Sequence, residues 1–514
     1  MTPRPRAATH RLTATTCLLI GLVALAACSP TPPGGGRTPV DPLATFHEQE
    51  LTFAPCPDEP VNAGLPPAEC AVLQVPLSYD DPTGEAIGVA VSRVSATGDD
   101  PIGSVIVNPG GPGASALSFG PVVAGSWGHR PLRESLDVVA MDPRGVGASQ
   151  PAIDCYPDVE RESDAVVSGI PAGALSWTEE SAGEVVEQCA ESVGGEHALA
   201  QMGTRNVVHD LDVLRAALGD EQLTFLGASY GTRLGATYAQ TYPDKVRALV
   251  LDGAIDPGAD TSQRQLQLFS GLQRSFEQLA ASCARSTDCP LGTDPAAASS
   301  AAQTLLRPLL DEPLPTGEGR ELTYFAAVEA VVAGLYSSEV WPLVVAGLAD
   351  LAQGNGQTLL ALRDASAGRG PEGAYSDSVE ATLTINCLDE VHLTPREATD
   401  LVAQINDAAP FLDPGRPVAT HDGCASWPST STLDFPPSID TDALPTTMVV
   451  SVTGDGLTPH EGGIALADLL HASLLTVEGE QHGATTVGNA CVDDAVENYL
   501  LTLQAPAHGS RCTL

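Results

Sequence analysis

Four short apolar runs, GSVIVNPGG, LDVVAMDPRG, LTFLGAS and RALVLDGA, recur between residues 103 and 254, and each is rich in branched aliphatic side chains. Segments with helical periodicity lie between them, RNVVHDLDVLRAALG being the clearest. Continuously apolar strands alternating with amphipathic helices predict a parallel sheet covered on both faces. Two earlier stretches, CAVLQVPLSY and AIGVAVSRVSA, are joined by the turn-rich DDPTGE and predict a hairpin. After Asp256 the strand pattern stops, and Ala-, Leu- and Gln-rich helical segments such as TSQRQLQLFSGLQRSFEQLAASCA take over. From Thr446 the sheet resumes with TTMVVSVTGDGLTP and SLLTVEGEQHG, separated by the helix-like GGIALADLLH. The predicted class is α/β, with a mostly parallel central sheet in residues 51–256 and 441–514 and a helical cap inserted at 257–440.

The amino-terminal pattern differs. Arg4, Arg6 and Arg11 precede the apolar run TCLLIGLVALAA, which is short for a membrane span and has the form of a signal peptide over residues 1–27. The run ends in LAAC, similar to the lipobox of bacterial lipoproteins, which makes Cys28 the expected lipidation site and the membrane an expected partner. Residues 28–50 open with a Pro- and Gly-rich stretch suited to a tether. The expected location is the outer face of the cytoplasmic membrane, or the medium. The formal charge of −41 becomes −44 once the three leader arginines leave, which disfavours nucleic acid as a partner. Of the 12 cysteines, Cys17 leaves with the leader and Cys28 takes lipid. The remaining ten suggest disulfides, with sequence neighbours such as Cys283 and Cys289 the expected partners although sequence alone does not fix connectivity, and no CxxC pair points to zinc or redox chemistry.

Candidate chemistry centres on Gly227-Ala-Ser-Tyr-Gly231, which lies between a predicted strand and a predicted helix. In that context a G-x-S-x-G sequence forms a sharp elbow that lifts the serine above the sheet and sets the next N–H at a helix N-terminus. Ser229 as a nucleophile needs a base and an orienting carboxylate later in the chain. Asp455 and His482 each follow a resumed strand and supply them. Asp252 is the alternative acid, and His460 and His471 are the alternative bases. A second oxyanion donor beside the Tyr230 amide is expected in NPGGPGAS, with Gly111 the first choice and Gly110 the second. That loop lacks the GK[ST] ending of a nucleotide-phosphate loop. Asp142 and Arg144, in MDPRGVGAS, are expected to form a buried pair that shapes the loop.

Together NPGGPG, MDPRGVGAS, GASYGTRLGATYAQTYPDKV, LVLDGAIDP, VTGDGLTP and GEQHG resemble the exported tripeptidyl aminopeptidase branch of the α/β-hydrolases, related to the prolyl aminopeptidases. Prolyl aminopeptidases usually carry HGGPG where this chain has Asn108-Pro109-Gly110, a departure that weakens any expectation of strict proline specificity. The resemblance implies removal of short peptides, often tripeptides, from free amino termini through an acyl-enzyme, without a metal or organic cofactor. Measuring from a free amino end requires an anionic partner for the substrate ammonium, and Asp389 and Glu390, beside Cys387, are the candidates. A carboxylesterase acting on lipid or envelope esters is the rival within the same chemistry, and a catalytically silent peptide-binding lipoprotein is the rival outside it.

Overall fold

The structure is a computed structural model that describes residues 41–57, 64–162, 177–317, 319–416, 421–428, 432–507 and 509–514. The expected leader and Cys28 lie outside these residues. By its contacts the chain divides into Met1–Asp41 and Pro42–Leu514.

Its strands are β1 (Ala54–Pro55), β2 (Glu69–Pro76), β3 (Ala86–Val94), β4 (Ser104–Asn108), β5 (Asp137–Met141), β6 (Leu223–Ala228), β7 (Val246–Asp252), β8 (Leu314–Gly317), β9 (Arg320–Leu322), β10 (Met448–Val452), β11 (Ser473–Glu478) and β12 (Arg511–Thr513). Ten of them form one sheet in the order β1-β2-β3-β5-β4-β6-β7-β10-β11-β12. The β1/β2, β2/β3 and β3/β5 pairs are antiparallel, and all later neighbours are parallel. The continuous apolar runs are explained by burial on both faces. Leu249 and Leu251 of β7 enter one core with Leu211, Leu234 and Leu466, while Ala248 and Val250 enter the other with Val123, Val492 and Tyr499.

From β4 the chain steps to β5 on one side and later returns to β6 on the other, so the connections diverge between β4 and β6. In open α/β sheets that switch point, at the carboxyl ends of the strands, is where a crevice opens. The glycine-rich loop after β4 and the Ser229 turn after β6 both lie there.

The cap has a core of its own, in which Phe276 stacks on Phe411 with ring centroids 4.4 Å apart. Its strands were not expected from sequence: β8 and β9 form a small separate hairpin. The edge strands β1 and β12 also escaped prediction, because two or three residues carry no readable period. Disulfides hold both edges, Cys56–Cys70 beside β1 and Cys491–Cys512 at β12. Cys155–Cys189, Cys283–Cys289 and Cys387–Cys424 complete the neighbour-to-neighbour pattern.

The expected Asp142–Arg144 pair does not form, although both residues are fully buried. Arg144 makes a bidentate pair with Asp210 (2.7 and 2.6 Å) and donates to the Leu77 and Pro76 carbonyls. One Asp142 oxygen accepts from the Ser115 hydroxyl (2.8 Å) and the Ala116 and Leu117 amides, tying β5 to the loop after β4. The two side chains of one short loop face opposite layers, so nearness in sequence was a poor guide to pairing.

Candidate active site

Ser229 has φ 54° and ψ −120°, a backbone conformation costing a side-chain-bearing residue about 1–3 kcal/mol, between β6 and the helix Tyr230–Thr241. Its N–H donates to the Asp252 carbonyl (2.8 Å), and its carbonyl accepts from the Thr232 amide (2.9 Å) and hydroxyl (2.6 Å). The two flanking glycines answer to close packing. A Cβ on Gly227 would reach 2.5 Å from the Phe225 ring and collide with the Gly231 carbonyl, and one on Gly231 would lie 3.0 Å from the Asn108 carbonyl.

The loop after β4 comes equally close. A Cβ on Gly110 would sit 2.6 Å from the Ala228 carbonyl oxygen, 2.8 Å from Ser229 Cβ and 3.0 Å from the Tyr230 nitrogen. The Gly110 N–H donates to Asn108 Oδ1 (3.0 Å), so it is already engaged. That geometry favours Gly111 over Gly110 as the second oxyanion donor and gives Asn108 a task in shaping the loop. The cap closes on the same loop: Thr382, on the helix Ser378–Asp389, donates its hydroxyl to the Pro112 carbonyl.

Beyond β10 and β11 lie Asp455 and His482. Both Asp455 carboxylate oxygens are 3.0 Å from His482 Nδ1. One oxygen also accepts from the Leu457 and Thr458 amides (2.9 Å each), the other from the Thr458 hydroxyl (2.9 Å) and the Gly483 amide (3.3 Å). Burial alone would raise the Asp455 carboxyl, but the His482 charge and these hydrogen bonds hold it below the ordinary carboxylate range. Burial opposes the His482 imidazolium, and the Asp455 carboxylate overcomes that, leaving the imidazole above its ordinary value. Thr458 was not anticipated: its hydroxyl bridges the carboxylate and, at 3.2 Å, Nδ1. The turn VTGDGLTP was the only signal for it.

The alternatives are placed otherwise. One Asp252 oxygen accepts from the Ala484 and Thr485 amides and the Thr485 hydroxyl, each at 2.8 Å, so it anchors the loop just past His482. His460 contacts the Ser451 hydroxyl through Nδ1 (2.8 Å), and His471 caps the helix His460–Leu470.

Ser229, Gly111 and His482 line one cavity of about 680 Å³ whose remaining wall is largely cap, including the apolar Phe269, Leu272 and Leu401. Among the described residues no direct hydrogen bond joins Ser229 to His482. Such bonds commonly tighten only when substrate arrives.

The two expected ammonium-binding residues are spent differently. Asp389 is fully buried behind the cavity wall, accepting from the Thr204 amide (2.9 Å) and hydroxyl (2.5 Å), with Thr204 in contact with the Tyr230 hydroxyl. Burial, partly offset by Arg233 and Thr204, pushes its carboxyl up to about 6. Glu390 does line the cavity, but Arg233 (3.1 Å) and Arg264 (2.6 Å) hold it. Asp389 supports the serine turn from below, and Glu390 carries no uncompensated charge to offer. Neither residue of the expected pair therefore presents an unengaged carboxylate to the cavity.

Comparison with known proteins fits this geometry. Residues 103–345 match the α/β-hydrolase fold family and residues 410–512 the TAP-like protein family. The chain is 38% identical over 481 residues to serine protease Hip1 of Mycobacterium tuberculosis, covering 90% of this chain and 91% of that one. The chain belongs to the α/β-hydrolase family, in its TAP-like branch. Other relatives in the α/β-hydrolase family are carboxylesterase B of M. tuberculosis (37% over 490 residues; 93% and 92% covered) and tripeptidyl aminopeptidase of Streptomyces lividans (30% over 466 residues; 87% and 84% covered). The α/β-hydrolase match contains the glycine loop and Ser229, while the TAP-like match contains Asp455 and His482. The chain is a serine hydrolase.

Proposed function

We propose that this α/β-hydrolase is an exported serine exopeptidase that removes short peptides, with tripeptides the expected product, from free amino termini. The observation that carries the reading is that Ser229, Gly111 and His482 line one cap-walled cavity, with Asp455 holding His482 from behind. In this reading His482 takes the Ser229 proton as the hydroxyl attacks the scissile carbonyl. Asp455 holds the imidazole tautomer and stabilises its cation, and the two amides receive the oxyanion. His482 then protonates the departing amine, and water, activated by the same base, releases the acyl group. The relatives named serine protease and tripeptidyl aminopeptidase support peptide over other acyl substrates.

A substrate ammonium needs a carboxylate not already neutralised. Asp256 and Asp422 both line the cavity, and their donors are neutral: the Gln267 amide (2.7 Å) and Gly258 N–H for Asp256, and backbone N–H groups of Leu393 and Cys424 for Asp422. They replace Asp389 and Glu390 as its partners in this reading. Export with a lipid at Cys28 remains part of the proposal, and five disulfides suit an oxidising compartment. No helix among the described residues is long and apolar enough to cross a membrane.

The test is digestion of an unblocked decapeptide followed by mass spectrometry, with fluorophosphonate labelling of Ser229 in parallel. Release of amino-terminal tripeptides together with labelling is the expected outcome. Labelling with ester turnover and no peptide release would favour the carboxylesterase reading, which the apolar cavity wall and the carboxylesterase B relative support. Absence of both would favour a binding protein. Incorporation of labelled palmitate that disappears in Cys28→Ala tests the anchor.

A further inference from the structure

His482 lies in the loop after β11, and that loop is anchored from two sides. On its carboxyl side the core holds it: Gly483 N–H on Asp455, and Ala484 and Thr485 N–H on Asp252. On its amino side the hold comes from the cap. The N–H of His482 itself donates to the carbonyl of Tyr336 (3.0 Å), and Ser337 forms an isolated antiparallel bridge with Gln481. Tyr336 lies in the turn between the cap helices Tyr324–Gly334 and Trp341–Leu351, so the cap adds one rung of sheet beside the candidate base.

The Tyr336 side chain completes the contact. Its ring stands edge to face with the imidazole, centroids 5.6 Å apart and planes at 88°, within the favourable range for aromatic pairs. It lines the same cavity as Ser229 and is 45% exposed, although cap side chains of that size are mostly covered. The groups facing His482 are Asp455 and Thr458 at Nδ1, the nearby Asp252 charge, and this ring. Asp455 fixes one edge of the imidazole, but a pair of bonds to a single nitrogen leaves the ring free to swing about that edge. A flat neighbour at the flank removes that freedom.

We infer that Tyr336 is a positioning residue contributed by the cap, holding His482 so that its second nitrogen addresses Ser229. The inference rests on the proposed triad but not on the peptide reading, because it concerns activation of the serine whatever the acyl group. It also gives the cap a task beyond enclosing substrate: displacing the turn would move the base. A misplacement on the order of 1 Å costs roughly 100-fold in rate.

The experiment compares wild type, Tyr336→Ala, Tyr336→Phe and Ser229→Ala in kcat and KM on a short p-nitrophenyl ester, in the rate of fluorophosphonate labelling, and in the pH profile of kcat/KM. Tyr336→Ala is expected to lose roughly 10- to 100-fold in both kcat and labelling rate with KM little changed. Its acid limb should move to higher pH, because water reaching the imidazole relieves the burial that opposes its cation while Asp455 stays in place. Tyr336→Phe should restore most of the rate, since the ring and not the hydroxyl makes the contact. Wild-type labelling by Tyr336→Ala, or a loss confined to KM, would overturn the inference. Should the alanine variant not fold, Tyr336→Leu is read in the same three ways. Undiminished labelling of Ser229→Ala would instead overturn the triad itself, so the two failures are distinguishable.

Discussion

At the sheet end of the site, each group is tied through a backbone N–H: that of Ser229 on the Asp252 carbonyl, those of the glycine loop on the Asn108 and Asp142 side chains, and two of its own turn on Asp455. In the cap, two of the carboxylates facing the cavity, Glu390 and Glu329, are held by other charges. Glu390 sits between Arg233 and Arg264, and Glu329 beside Arg363. Backbone anchors of the first kind depend on a local fold that few side-chain changes disturb, so substitutions there should act on chemistry. Charges of the second kind cannot be removed singly without stranding a partner, so substitutions there should act first on stability.

The sharpest break of that contrast is at the serine. Ser229→Ala is expected to lower kcat by about 10⁶-fold with its melting temperature unchanged, as measured by steady-state turnover and calorimetry. A comparable fall in melting temperature would mean that the elbow is a structural turn. Next come the two buried aspartates. Asp455→Asn should cost about 10⁴-fold in kcat through the wrong imidazole tautomer, whereas Asp252→Asn should cost on the order of 100-fold through a loosened loop. Equal losses would erase the distinction between orienting acid and anchor.

On the cap side, Glu390→Gln should destabilise the fold by about 3–5 kcal/mol, read by denaturant unfolding, because two guanidiniums lose their nearest carboxylate. A stable variant with KM raised only for free-amine peptides would revive Glu390 as the ammonium partner. The smallest effect is in pH. His482 must be neutral to act as base, and Asp455 raises its pKa, so kcat/KM should fall on acidification with a limb above the ordinary imidazole value near 6.5. In Asp455→Asn that limb should move down. A limb that stays in place would separate the titration from the pair.

The same contrast governs what the sequence discloses. Strand β4 to strand β7 and the turns at Ser229, Asp455 and His482 are legible because glycines, β-branched runs and strand ends leave local marks. Neighbour pairing of the cysteines is only the simplest of many connectivities that the sequence allows, and the structure is what selects it. The partners of Arg144, Asp389 and Glu390 are not legible, because each is set by elements far apart in sequence: Asp210 for the first, Thr204 for the second, Arg233 and Arg264 for the third. Tyr336 belongs with these. Nothing in VVAGLYSSE marks a residue that will lie against a histidine 146 positions later, as the two residue numbers show.

The measurement that tests the central claim most directly is kcat/KM for a free-amine tripeptidyl fluorogenic substrate against its N-acetylated twin, with Ser229→Ala as control. The exopeptidase account predicts Ser229-dependent hydrolysis that strongly favours the free amine, since acetylation removes the charge the cavity carboxylates receive. Equal turnover of the two, or turnover of neither alongside rapid cleavage of a p-nitrophenyl ester, would contradict it.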